Sequence, residues 1–318
     1  MSQFSAIDLS KVPVPVIIET LGYETIFAEM LADLQARDST FTALVESDPA
    51  YKILEVAAYR ELILRQRVND AAKACMLAYS ISTDLDNLGA IFNVSRLVIT
   101  PANPLLIPPT DAVMESDSLF RKRIQMAMEG LSNAGSSGAY IFHGLSASAL
   151  VKDVAVDHVE FHVEAGLIVI DYTANLATPE PGMVAVSVLS TVGNGTADAG
   201  LLATVNVALN YESVRPLTDR VTVRSAEIVN YAVVATLYFY DGPSSATVLS
   251  AAQAAIAAYV ADRHKIGHDI TRSGIFAALH QSGVQNVVLT SPAADVVIAS
   301  YQAAYCTGIT VTNGGVAV

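Results

Sequence analysis

Charged side chains are scarce in this chain. They make up 15% of its 318 residues, against about 25% in an average soluble protein. Lysine and arginine together number 18 against 31 acidic residues, for a net charge of −13. That balance excludes nucleic acid and anionic membranes as expected partners, because phosphate groups need basic patches. Tryptophan is absent and the thirteen tyrosines are scattered, so no stacking platform for carbohydrate is evident. Cysteine occurs only at Cys75 and Cys306, with no Cys-x-x-Cys, which excludes any disulfide framework beyond one long-range bond. Both read as small buried apolar residues of a chain folding in a reducing cytoplasm.

A continuous apolar block of membrane-spanning length is also missing, although mean hydropathy is +0.43. The longest uncharged stretches, 242–261 and 296–318, are interrupted by Gly, Ser, Gln, Thr or Asn. The first residues, MSQFSAIDLSKVPVPV, have no basic region followed by an apolar core, so they do not read as a secretion signal. High hydropathy with little charge and no span fits a surface covered by neighbouring chains.

Arrangements that carry chemistry are equally lacking. His264 and His268 stand four apart, but Gly267 lies between them and no Glu follows His264 as in H-E-x-x-H. GLSAS at 144–148 lacks the last glycine of a nucleophile elbow, and GNG at 193–195 lacks the Lys-Ser/Thr of a phosphate loop. GSSG at 135–138 reads as a turn before a helix. His158 and His162 share one face of a strand pattern near Asp153 and Asp157. They carry the alternative reading, a cytoplasmic metal-dependent hydrolase; the plainer one is the polar face of a half-exposed strand. The expectation is no catalytic residue, no metal and no cofactor.

What the chain does have is a run from Pro49 to Ser80 without glycine or a second proline. Asp48 is placed to cap it and Pro49 fits its first turn. As one straight helix it would span roughly 48 Å at about 1.5 Å per residue. Leu54, Ala58, Leu62, Val68, Ala72, Cys75 and Tyr79 mark one face; Ile53, Val56, Ala57, Ile63, Leu64, Ala71 and Leu77 widen it well past an ordinary apolar stripe. So broad an arc predicts more than one packing partner, and Leu54, Ala58, Leu62, Arg65, Val68, Ala72 and Tyr79 are the expected partner-binding set. Arg60, Arg65 and Arg67 read as salt-bridge donors to Glu61 and Asp70.

The fold class expected is α+β and multidomain: an N-terminal long-helix arm followed by two small tandem α+β modules. Residues 1–98 form the arm, with an extended stretch to 18, a helix over 20–37, the long helix, and a short helix from Thr83 with Leu85, Leu88 and Ile91 inward. Residues 99–150 begin with a linker holding four prolines and continue as helices over 117–131 and 138–150, with Arg121, Lys122 and Arg123 on a solvated or partner-facing side. From 151 the period becomes two, with VKDVAVD, VEFHV, LIVIDY, GMVAVSVL, RVTVRSAEIV, YAVVATLYFY and NVVLTS as strands and a hairpin turn at Ala165-Gly166. Helices are expected near 197–213, 244–264 and 273–281. The modules 151–230 and 231–318 look like weak duplicates, with ATVNVALNYESVRPLTDRVTVRSAE set against ATVLSAAQAAIAAYVADRHKIGHDITRS. The second contains only seven charged side chains, so its surface is expected to be buried by another copy or a neighbouring chain.

LSKVPVPVIIETLGYETI, SDPAYKILEVAAYRELILRQRVNDAA, DLDNLGAIFNVSR, ESDSLFRKRI, AGSSGAY, VRPLTDRV and GHDITRSGIFAALHQSGV together resemble the baseplate J-like family of contractile phage tails, over almost the whole length. The resemblance implies a structural role. Similar proteins are wedge components: two copies pair with one tail protein I in a helical bundle, and wedges join into a sixfold ring around the spike and hub. Related wedges occur in R-type bacteriocins and type VI secretion baseplates. The implied partners are a tail protein I-like chain, a second copy, neighbouring wedges, and hub, spike and sheath-initiating proteins. The implied location is the virion tail baseplate, assembled in the host cytoplasm.

Overall fold

A computed structural model describes residues 7–41, 45–132, 134–242 and 245–316. Parts of the expected N-terminal arm (1–6), the break before the long helix (42–44), the turn at 133 and the start of the helix at 244 lie outside them. The fold is mixed α+β with a helical N-terminal region. The chain divides into two compact units: a helical one, Ser5–Arg96 with Phe120–Ile124, and a sheet-containing one built from Leu97–Leu119 and Gln125–Val318.

The helical unit is built on α1 (Tyr23–Arg37) and α2 (Pro49–Ala74). The Asp48 carboxylate accepts the Ala50 N–H at 2.8 Å, and Pro49 takes the first turn, where its missing N–H costs nothing. Ile26 and Phe27 of α1 bury against Ala58, flanked by Tyr51, Leu54 and Leu62. The Phe27 and Tyr51 rings lie 4.8 Å apart. α2 ends six residues short of the expected Ser80. Met76, Tyr79 and Ser80 donate to Lys73 and Met76 carbonyls in tight turns. Arg121 then ties the turn down, giving 2.7 and 2.6 Å bonds to the Leu77 and Ser80 carbonyls.

The helix α3 (Ser82–Ile91) starts one residue before Thr83, which does not cap it, and Ile81 in the cap position makes no side-chain bond. Leu85 is buried as expected, but Ile91 is exposed. Gly89 is required here: a Cβ would lie 2.5 Å from the Phe120 ring and 2.7 Å from the Val94 carbonyl oxygen. Phe120 and Ile124 belong to α4 (Asp117–Met126), which stops before the expected 131. Its basic triplet is not a solvated side. Arg123 is buried and donates to the Ser95 carbonyl at 3.0 Å, while Arg121 holds the turn. Cys75 is exposed and Cys306 half-buried, against the expectation that both are core.

In the second unit the proline-rich stretch is a paired excursion rather than a plain linker. Strands β1 (Val98–Thr100) and β2 (Val113–Met114) run antiparallel, and Asn103 bridges Thr110 beyond them. Helix α5 (Ser137–Ala147), capped by the Ser136 hydroxyl, packs on β3 (Val151–His158). Three strands form the first sheet in the order β3, β6 (Met183–Ser190), β7 (Arg220–Ser225). β3 is antiparallel to β6, and β7 parallel to it after the crossover helix α6 (Ala199–Leu209). Between β3 and β6, β4 (Glu160–Glu164) and β5 (Leu167–Tyr172) form their own two-stranded hairpin. Its turn is Ala165-Gly166, both with positive φ, as a two-residue turn matching strand twist requires.

The second sheet has β8 (Glu227–Phe239) at its centre, antiparallel to β9 (Val284–Ser291) and parallel to β10 (Gln302–Val316). Helices α7 (Ser245–Arg263) and α8 (Arg272–Leu279) bury Ala252, Ile256, Ile275 and Leu279 against Val233, Ala235, Leu237 and Phe239. Each sheet thus has a central strand with one parallel and one antiparallel neighbour. The proposed sequence duplication nevertheless aligns unlike parts. After α6 the chain enters a parallel strand, whereas HDITRS makes a single bridge, Ile270 to Val296, before Thr271 caps α8. The two sheets share a small core of Ala155, Leu189, Ala226, Ile266 and Ala303. The Asp153 carboxylate adds a bond from the Ile266 N–H at 3.0 Å.

Candidate partner-binding surface

Helix α2 presents two different faces. Leu54, Ala58 and Leu62 are taken up by α1. Next to them a polar row holds the chain's own N-terminal segment. The buried Asn69 side chain donates to the Glu19 carbonyl at 2.9 Å and accepts from its N–H at 3.1 Å. Arg65 pairs with Glu61 at 2.5 Å and Glu19 at 3.6 Å. The Tyr79 hydroxyl donates to the Val12 carbonyl at 2.9 Å, and Ala72 is half-buried. Asp70 accepts from Gln66. Of the expected ion pairs of the arginine cluster, the one with Glu61 forms.

The other side is uncovered. Ile53, Val56, Leu64 and Val68 are 69, 64, 63 and 61% exposed, with Tyr59 and Ile63 beside them. Covering one such side chain completely is worth about 1.5–3 kcal/mol. Arg60 and Arg67 lie in the same strip, exposed and without an ion pair among the described residues. An open groove of about 750 Å³ runs along this side, lined by Leu21, Tyr59, Ile63, Arg67, Ala71 and Asp84. Of the seven expected residues, Val68 alone lies on this outer strip. Helical periodicity identified the apolar residues but could not say which of them α1 would occupy.

The histidines behind the hydrolase alternative are divided between strands. His162 Nδ1 lies 2.8 Å from Asp171, and His158 Nε2 lies 3.7 Å from Glu160. Among the described residues no group of three or more His, Cys, Asp and Glu side chains could hold a metal. His264 Nδ1 meets Lys152 Nζ at 2.8 Å instead of pairing with His268. Burial, then the nearby Lys152 cation, lowers the His264 pKa. Burial also lowers those of His143 and His268. No helix of the described residues is long and apolar enough to cross a membrane.

The helical unit thus leaves an apolar strip of α2 uncovered within that unit. Residues 46–103 match the model of the baseplate J-like N-terminal domain, and 231–312 that of the baseplate J-like protein C-terminal domain. Baseplate protein J of Escherichia phage P2 is 48% identical over 316 residues, covering 97% of this chain and 98% of that protein. The chain belongs to the baseplate J-like family.

Proposed function

We propose that this chain is a structural component of a contractile-tail baseplate wedge, located in the tail baseplate of the virion and without catalytic chemistry of its own. It pairs with a tail protein I-like partner and a second copy, and wedges join into a sixfold ring around the hub. The observation that carries the reading is the outer strip of α2. It is strongly apolar, runs over four helical turns from Ile53 to Val68, and has no cover within its own unit. A partner helix laid along it would bury the strip and pass beside Arg60 and Arg67.

The test is co-purification with a co-expressed tail protein I-like partner. Ile53→Asp places a carboxylate where the partner packs, with no cation three or four positions away on the helix to pair it, which costs several kcal/mol once buried unpaired (on the order of 3–5). It should abolish the complex while leaving the isolated chain folded. Retention of the partner at wild-type level overturns the reading. Leu62→Asp is the wrong probe, because Leu62 packs on α1 and its loss damages the chain itself.

Joining of neighbouring wedges is assigned to 231–318, which carries few charges and exposes Val288 and Val297. Deleting 231–318 would cut β8 in its middle, so point variants are required. Val297→Asp should give isolated wedges in place of rings by electron microscopy. Normal rings would move the joining contact elsewhere.

A further inference from the structure

The two larger sheets meet at a narrow joint. A single residue, Ala226, separates β7 from β8. The apolar core they share is small, and three of its five residues are alanine. Polar contacts cross the joint as well. Asp153 takes the Ile266 N–H, the Ser300 hydroxyl donates to Asp157 at 3.0 Å, and Lys152 meets His264.

That last contact is one that a proton can break. Lys152 Nζ lies 2.8 Å from His264 Nδ1. An ammonium only donates, so Nδ1 accepts, and it can accept only while it carries no proton. Lys152 stands at a register shift in β3, between the pairs Val151–Ser190 and Asp153–Leu189. Such a bulge re-aims a side chain. His264 directly follows α7, and its ring is held on two further sides. Tyr305 of β10 meets it edge-on with ring centroids 5.5 Å apart, and a Cβ at Gly195 would lie 3.0 Å from Nε2.

The surrounding groups give an imidazolium little support. Burial first, and then Lys152, disfavours the proton, while the Asn194 carbonyl favours it. Beside His264 in the chain, Lys265 pairs with Asp262 at 2.7 Å, and Arg263 lies 3.8 Å from the same carboxylate. Asp153 acts on Lys152, favouring its charged form. A proton on His264 therefore sets two cations against each other at hydrogen-bond distance inside the joint.

We infer that the Lys152–His264 pair is a proton-operated latch on the joint between the two sheets. With the imidazole neutral, the ammonium donates across the joint and holds it closed. With the imidazole protonated, that bond is lost, the two cations repel, and the sheets part about Ala226 with each still folded. The latch is closed above about pH 6.5, the ordinary histidine value. It opens as pH falls from there through the lowered folded-state value of His264. It depends neither on the wedge reading nor on the α2 contact.

The test follows the full chain by time-resolved energy transfer between dyes on Val207→Cys of α6 and Ala254→Cys of α7, with Cys75→Ala and Cys306→Ala in the background. Both labelled positions are exposed. Between about pH 7.5 and about pH 5 the dye-to-dye distance distribution should broaden reversibly, while far-ultraviolet circular dichroism stays constant. His264→Gln keeps an acceptor for Lys152 but cannot take the proton, so its distribution should stay narrow throughout. A wild-type distribution that does not broaden, equal broadening in His264→Gln, or broadening that comes with loss of secondary structure overturns the inference. The Cε1–H resonance of His264 in the Lys152→Met chain gives a second reading. It should titrate at a higher pH than in the wild-type chain, because the cation facing the ring is gone. An equal or lower value would mean that the two side chains do not act on each other, and the latch fails.

Discussion

The helical unit and the sheet unit bury their apolar residues in opposite ways. Strand β8 places Tyr231, Val233, Ala235, Leu237 and Phe239 on one side, and α7 and α8 cover that side within the same chain. Helix α2 also offers more apolar surface than one neighbour can cover, but only the strip facing α1 is covered. A sheet face is finished by its own crossover helices. The low overall charge belongs to the sheet unit: residues 5–96 carry 21 charged side chains among 92, near the ordinary fraction of about 25%, and still leave the outer apolar side chains of α2 exposed.

The sharpest way to break this contrast is to compare matched losses. Leu237→Ala in the second sheet should destabilise the isolated chain by about 2–5 kcal/mol in denaturant unfolding, because the site is fully buried. Leu64→Ala on α2 should change it by no more than about 0.5 kcal/mol, because the side chain is exposed. Equal effects would mean that the outer strip of α2 is covered within the chain. Next in size is Gly89→Ala, which sets a methyl group against both the Phe120 ring and the Val94 carbonyl oxygen. It should cost about 1–3 kcal/mol by overpacking. A neutral result would show that α3 and α4 can separate freely.

The pH dependence should follow the buried histidines of the sheet unit. Burial and Lys152 depress the folded-state pKa of His264, so the folded form disfavours its protonation. The unfolded chain binds that proton near pH 6.5, the ordinary histidine value. The resulting stability is present above about pH 6.5 and is lost as pH falls from there toward the lowered folded value. Between pH 7 and 5 the midpoint of thermal unfolding should drop more steeply for the wild-type chain than for His264→Gln. The smallest expected effect is at His158 and His162. Replacing both by Ala should leave assembly within a few-fold of normal, since their partners are exposed carboxylates. Complete loss of function with assembly intact would point to chemistry at these two histidines.

The parts of this fold legible in the sequence are those set by near neighbours. Asp48 and Pro49 announced the start of α2, Ala165-Gly166 announced the hairpin, and alternation announced the buried strands. The misread parts depend on residues far away. The end of α2 is set by Arg121, more than forty positions on, whose guanidinium takes the Leu77 and Ser80 carbonyls. Arg123 looked like surface because its acceptor, the Ser95 carbonyl, is a main-chain group that no side-chain pattern reveals. Strand β10 went unread because Gly308, Gly314 and Gly315 interrupt it, and its order comes from parallel pairing with β8 some 75 residues earlier. The candidate surface was half legible: the excess of apolar residues on α2 was plain, while the division between α1 and the outside needed the packed unit.

The central claim is that the outer strip of α2 is covered in the assembled baseplate. Hydroxyl-radical footprinting of Ile53, Leu64 and Val68, in the isolated chain and again in purified baseplates, tests it directly. The account predicts strong oxidation of all three in the free chain and protection of all three in the assembly. Equal labelling in both states would contradict it.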